Sequence, residues 1–567
     1  KLGQFAAITV FNAAAYPKTG LVEVDVDMPA DAEGVQMLNA AGKTIPCGFE
    51  WGQRVLQASE MVPLGELRSV LADAMSEGRN AQRLVNLQLV EEDGEAVIEA
   101  DFSSILPSNQ AGMATGLISV MELVNEHQPA DPVQVRSFNI QVAKVTFLAE
   151  DVPAFGYKTY WAADDPSISH PLEYFDLALD AHPQEIENEF FRVGVEGEGG
   201  TLRLHDQRNH GDYFGLNAII DRGDRGDEYN FTPPESDLAI SPSFQSVDVV
   251  KTELEQALLL QGELMLPEGL SPGRDARSEA TIRCPLVVVV SLAKGVPAVD
   301  VQVQFDNAAR DHRLEVRFPT GLEVDSAYFD GQFDVVERRL DLPKADETWK
   351  ELPRPEAPQQ AFTDVSTADG GLMIANQGLP EAAVLRDKAG RAVIALTLLR
   401  AVGWLSRDDL WNRQGHAGPP IETPDAQELS EYTFDYRIIP HALSWPNAAP
   451  LAYTFQTPFE AEISPIHQGK LSPCAQIVSV EPPDFFVSTI KEAENESGWI
   501  VRGVNLADHA IELTLKTGLL AKSAALLNLD ESLIEALKLE DGRVRLKVAP
   551  KKIVTVLFRV QDGTLDR

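Results

Sequence analysis

The chain has 567 residues, 44% of them hydrophobic, which is too long for one domain and too apolar for disorder. Its formal net charge of −39 argues against nucleic acid and anionic membrane surfaces as partners, because a negative field of that size repels both. Three cysteines, Cys47, Cys284 and Cys474, stand far apart without a C-x-x-C pair, so neither a cysteine-rich zinc site nor a disulfide framework is expected.

The opening "KLGQFAAITVFN" reads directly as a strand. It lacks the basic, apolar and small-residue regions of a signal peptide, and no later apolar run is long enough to span a bilayer, so a cytoplasmic protein is expected. The first residue is not Met, which suggests a trimmed piece of something longer. In "GLVEVDVDMP" Val22, Val24 and Val26 alternate with Glu23, Asp25 and Asp27, which gives one apolar and one acidic face. The best helix is "PLGELRSVLADAMSEG", with Leu64, Leu67, Leu71 and Met75 on one face, Pro63 to start it and Gly78 to end it. "FFRVGVEGEGGTLRLHD" reads as a hairpin turning at Gly197 to Gly200. Cys284, inside "TIRCPLVVVVSL", reads as a small buried hydrophobe on a strand. "PAVDVQVQFDN", "HRLEVRFP", "RVRLKVAP" and "KIVTVLFRV" repeat the period-two pattern to the end.

Alternating strand–helix units are not visible, so the fold class is all-β: several antiparallel β-sandwich domains with few helices. Proline-containing joins place an N-terminal Ig-like sandwich at 1–165, with a helical insertion near 63–78. A large central two-sheet region follows at 166–445 and a C-terminal sandwich at 446–567.

Local chemical signals are weak one by one. "GLSPG" at Gly269–Gly273 fits a nucleophile elbow, but no amphipathic helix follows it, so a hairpin loop is expected. His205 and His210 in "HDQRNH" are not expected to converge, and His416 sits in a Gly- and Pro-rich loop. Asp408 and Asp409 are adjacent, so on a strand they would point to opposite faces and could not flank a glycosidic bond. The segment "DRGDRGDEYNFTPP", Asp221–Pro234, admits four readings: a calcium loop, an exposed Arg-Gly-Asp adhesion motif, a solvated turn, or part of a sugar-binding wall. Its acids recur every third residue, against the every-second spacing of a calcium loop. Tyr229 and Phe231 beside Pro233 and Pro234 fit a stiff loop that offers an aromatic ring with a polar tip.

Several segments in order resemble the C-terminal half of family 38 glycoside hydrolases, the zinc-dependent α-mannosidases. They are "VPAFGYKTY", "IENEFFRVGVEGEGGTLRLHDQR", "DRGDRGDEYNFTPP", "FDNAARDHRLEVRFPTGL", "FDVVER", "GLMIANQGLPE", "LTLLRAVGWLSRDDL", "GHAGPPIETPDAQ" and "IIPH". The likeness is strongest from about 150 to 441. It implies a central super-sandwich of galactose-mutarotase-like type and a parent enzyme that is a retaining α-mannosidase acting on mannose-containing glycans. The family's catalytic acids and zinc ligands lie in N-terminal domains that precede the part matched here. The resemblance therefore implies no catalytic residue and no metal ligand in this chain, with zinc expected in the separate catalytic domain as its partner. Tyr229 matches the family position whose hydroxyl contacts mannose, and Asp227 would orient it or shape the loop. The competing reading is a stand-alone carbohydrate-binding or structural β-protein without catalysis.

Overall fold

The computed structural model describes residues 4–29, 32–76, 82–92, 94–106, 108–164, 184–494, 498–518 and 521–560. They fall into two compact units. One holds the N-terminal β-region together with Phe459–Gln476; the other holds Ala14–Tyr16, the central region to Pro458 and the chain from Ile477 onwards.

In the first unit, strand Gln4–Asn12 pairs antiparallel with Gly156–Ala163 on one side and Glu460–Pro465 on the other. A second sheet places Val142–Val152 between Lys18–Asp27 and Cys47–Trp51. The period-two pattern decides which faces meet. Val22, Val24 and Val26 are buried in one core with Ile8, Val10, Phe147 and Tyr160, while Glu23 and Asp25 stay exposed.

The expected helical insertion is larger than the sequence pattern indicates. Between Cys47–Trp51 and Val142–Val152 the chain runs through strand Val55–Pro63, helix Leu64–Ser76, strands Arg83–Glu92 and Glu95–Ser103, helix Gln110–Glu126 and strand Pro132–Asn139. These strands form one sheet, and Glu95–Ser103 pairs in parallel with Pro132–Asn139 across the second helix. An α/β layer therefore sits inside an otherwise antiparallel protein, contrary to the expectation that strand–helix alternation is absent. Gly112 and Gly116 hide the second helix from a propensity reading. Packing requires Gly116, because a Cβ there would lie 2.0 Å from the Leu87 carbonyl oxygen. Asn109 caps the helix by accepting from the Gly112 N–H. Leu67, Leu71, Ile98, Met113 and Val120 close the layer's own core.

The second unit is built on a nine-stranded antiparallel sheet. Its middle strands are Glu255–Pro267, Thr281–Ala293 and Val299–Asp306, which alternate regularly, and Glu431–Ala442, which is buried on both faces over most of its second half. A five-stranded sheet that includes Ala218–Gly223, His312–Pro319 and Ala392–Ala401 supplies Ile219, Val316, Phe318 and Ile394 to the same core as Leu260, Val288, Val303 and Tyr436. At about 1.5–3 kcal/mol per fully buried large apolar side chain, this continuous layer is the dominant stabilising term. Cys284 lies fully buried within it. The "GLSPG" segment belongs to the loop joining Glu255–Pro267 to Thr281–Ala293, and the hairpin Phe191–Glu196/Thr201–Asp206 turns with positive φ at Gly197 and Gly200.

Helix Ala449–Gln456 rests on the nine-stranded sheet, where the Tyr453 hydroxyl donates to Asp330 at 2.7 Å. The chain then leaves for strand Glu460–Pro465 of the first unit before it returns to build two further sheets from Val478 to Val560. Among the described residues no helix is long and apolar enough to cross a membrane.

Candidate functional site

The segment Asp221–Pro234 leaves strand Ala218–Gly223 and wraps over one end of the five-stranded sheet. Asp221, Asp224 and Asp227 are all fully buried, and each meets its own cation. Asp221 accepts from Arg277 and from His312 Nδ1, both at 2.5 Å, while His312 Nε2 lies 2.9 Å from Asn307 Oδ1. Asp224 accepts two bonds from Arg400, at 2.6 and 3.0 Å, and the N–H groups of Gly226 and Thr232. Burial pushes the Asp224 carboxyl up, and the paired Arg400 works against that push.

Asp227 is the most heavily bonded of the three. Oδ1 accepts from the N–H groups of Tyr229 and Asn230 and from Arg413 Nη1; Oδ2 accepts from the Arg407 N–H at 2.8 Å and Arg413 Nη2 at 2.5 Å. Burial raises its carboxyl, but the Arg413 hydrogen bond, the N–H donors and the Arg413 charge outweigh it and hold it below the usual range. The tight path needs Gly226, where a Cβ would meet the Asn230 carbonyl oxygen at 1.9 Å.

Two of the four readings of this segment fail on these facts. The acids are consumed by arginine and histidine and offer no calcium site. Both Arg-Gly-Asp tripeptides end in a fully buried carboxylate, which no receptor could reach.

The Tyr229 side chain stands outside this network. Its N–H is tied to Asp227 and its carbonyl accepts from Arg354 at 3.1 Å, so its backbone is fixed at both ends. Its ring is 45% exposed, and its hydroxyl runs against Gly418, where a Cβ would lie only 2.8 Å away. Two tryptophans that sequence reasoning missed join it on the same loop cluster. Trp411 is exposed and donates its indole N–H to the Pro233 carbonyl; Trp349 is also exposed, next to Lys350, whose carbonyl accepts from the Gln414 N–H. Phe231 is half-buried beneath the Arg313 guanidinium, 4.6 Å from its ring centre. The cluster thus offers a rigid floor of neutralised acids under a rim of exposed rings.

Of the remaining candidates, the aspartate pair borders this cluster, where Arg225 donates to the Asp409 carbonyl at 3.2 Å, and the histidine pair falls elsewhere. Asp409 pairs with Arg407 through both oxygens, and Asp408 lies 3.6 Å from His416. Contrary to expectation, His205 and His210 do converge: the turn at Gln207–His210 brings their rings to 5.9 Å, with His205 bonded to Asp212. Among the described residues no three His, Cys, Asp or Glu side chains group as a metal would need.

Fold and site define a mostly antiparallel, multi-sheet β-protein with an aromatic rim on buried ion pairs. Residues 186–426 match the glycosyl hydrolases family 38 C-terminal domain, and residues 484–556 match the family 38 C-terminal beta sandwich domain. The chain belongs to glycosyl hydrolase family 38 and carries its C-terminal domains.

A putative mannosylglycerate hydrolase of Halalkalibacterium halodurans is 24% identical over 409 residues, 68% of this chain and 42% of that protein. An alpha-mannosidase from Enterococcus faecalis has the same fold, with a TM-score of 0.68 and 22% identity over 98% of this chain and 56% of its own. A second family 38 structure from Enterococcus faecalis gives 0.67 and 20%, over 98% and 58%. The chain therefore spans less than half the length of the curated relative it matches and somewhat more than half of each solved structure.

Proposed function

We propose that this chain is the non-catalytic C-terminal β-region of an α-mannosidase, where it supports a separate catalytic domain and contributes Tyr229 to the wall of the sugar site. A mannosylglycerate hydrolase and an alpha-mannosidase among its relatives share a mannosyl group, which supports a mannoside as substrate. Tyr229 carries the reading: a half-exposed ring whose backbone is clamped at both ends over three fully buried carboxylates.

Such a ring covers the C–H face of a sugar while its hydroxyl bonds a sugar oxygen. Asp227 acts through the loop: with five donors on its two oxygens it fixes where Tyr229 stands and has no lone pair turned outwards. Zinc, in this reading, would be held by residues of the separate catalytic domain and would supply Lewis-acid chemistry there. The isolated chain should be catalytically silent. Incubation with an aryl α-mannoside tests this, and turnover that stays proportional to this chain through repurification would refute it.

A further inference from the structure

The outer face of the first unit's sheet is unlike an ordinary solvated sheet face. Three antiparallel strands bring their outward residues into rows: Glu462 beside Thr9 beside Thr159, and Ser464 beside Ala7 beside Trp161. Phe11 and Tyr157 form the next row, with ring centres 5.8 Å apart. Along strand Gly156–Ala163 the order is therefore ring, hydroxyl, ring, with Tyr157 and Trp161 four residues, or about 13 Å, apart.

The loop after Pro465 arches over this face. The Tyr157 hydroxyl donates to the Ser472 carbonyl at 2.9 Å, and the Thr159 N–H donates to the Pro473 carbonyl at 2.7 Å. Between sheet and loop lies a cavity of about 550 Å³, lined mainly by apolar atoms and edged by His467 and Lys470. That volume is in the range of small-ligand sites, about 300–1,000 Å³.

We propose that this groove binds a short neutral oligosaccharide, at a site separate from the Tyr229 loop. The inference rests on the glycan-directed reading above for its ligand class, and on the groove's own geometry for its location. A pyranose has apolar C–H faces and a polar hydroxyl edge, and the groove alternates in the same way. Trp161 stands across from the small side chain of Ala7, and both line the cavity. Thr9 Oγ1 and Thr159 Oγ1 lie 3.1 Å apart, so the bond between them uses one hydroxyl hydrogen and leaves the second, with lone pairs, for a ligand. Lys470 and Glu462 stand at the edge as a donor and an acceptor for further sugar hydroxyls. A purely apolar ligand would leave these polar groups unpaired on binding.

The test is titration of the 567-residue chain with α-mannotriose and with maltotriose, followed by calorimetry and Trp fluorescence. The wild-type chain should bind at least one of them. Trp161→Ala should weaken binding about ten-fold and Thr9→Val several-fold, whereas Trp51→Ala, at an exposed ring on the other sheet of the same unit, should stay within two-fold. Near-unchanged melting of Thr9→Val guards against a folding artefact at Trp161. Binding that responds to Trp411 but not to Trp161 or Thr9 would overturn this site and leave the Tyr229 reading standing. No binding of either sugar would overturn it too, and would leave the Tyr229 reading untouched, because that wall is completed by the catalytic domain and is tested by kinetics in the longer protein.

Discussion

Replacing Asp227 by Asn removes one charge and almost no volume, yet it should be among the most damaging single changes in the central region. Five N–H donors converge on the two carboxylate oxygens. An amide keeps one oxygen and turns an NH₂ towards the donors around the other. If the oxygen stays at the Oδ1 position, the NH₂ faces the Arg407 N–H and Arg413 Nη2, donor against donor. Arg413, only 5% exposed, keeps its charge without a counter-ion. Breaking one side of a buried pair in this way costs about 3–5 kcal/mol. For a domain of this size that is a fall in Tm of about 10 °C, readable by differential scanning calorimetry. The double variant Asp227→Leu/Arg413→Met removes both charges and should recover a large part of the loss. The same carboxylate should respond to acid. Its folded value lies below the unfolded one, so its stabilisation is present above pH ~4 and disappears as pH falls through the folded value. An Asp227→Asn chain that melts within a degree of wild type would refute the claim that this carboxylate holds the loop.

Asp330 should behave in the opposite sense. Burial pushes its carboxyl up to about 6, against the Ala361 N–H and the Tyr453 hydroxyl, so the folded form holds its proton longer than the unfolded chain. Its contribution is therefore most favourable below pH ~4 and is lost as pH rises through about 6. At pH 7 the penalty is on the order of 3 kcal/mol, and Asp330→Asn should abolish that pH dependence in thermal melts recorded from pH 4 to 7. Gly116→Ala should destabilise the α/β layer by roughly 1–3 kcal/mol in denaturant melts, because the new methyl meets the Leu87 backbone despite alanine's better helix propensity.

The strands were legible because burial on one face writes a period of two into the sequence. Val22–Val26 and the long strands about Val288 and Val303 show this directly. The helix at Leu64–Ser76 was legible for the matching reason, an apolar stripe between a proline and a glycine. The second helix was not, since its glycines answer to a neighbouring strand's backbone and not to local propensity. The loop's composition singled out Tyr229 and the acids around it. What the acids do was hidden, because their partners Arg277, Arg400 and Arg413 are 56, 176 and 186 positions away in the chain. Trp349 and Trp411 were missed for the same reason: only the fold brings their segments beside Pro233.

The most direct test of the central claim is the kcat/KM of Tyr229→Phe for an aryl α-mannoside, measured in the longer protein to which we assign this chain. The substitution removes the phenolic oxygen and keeps the ring, and Tyr229 lends only its backbone to the bonds that hold the loop. If the hydroxyl bonds the sugar, the loss is about 1–2 kcal/mol, roughly 5–30-fold in kcat/KM, with the melting temperature unchanged. Unchanged kinetics in a well-folded variant would take the loop out of the sugar site and contradict the account.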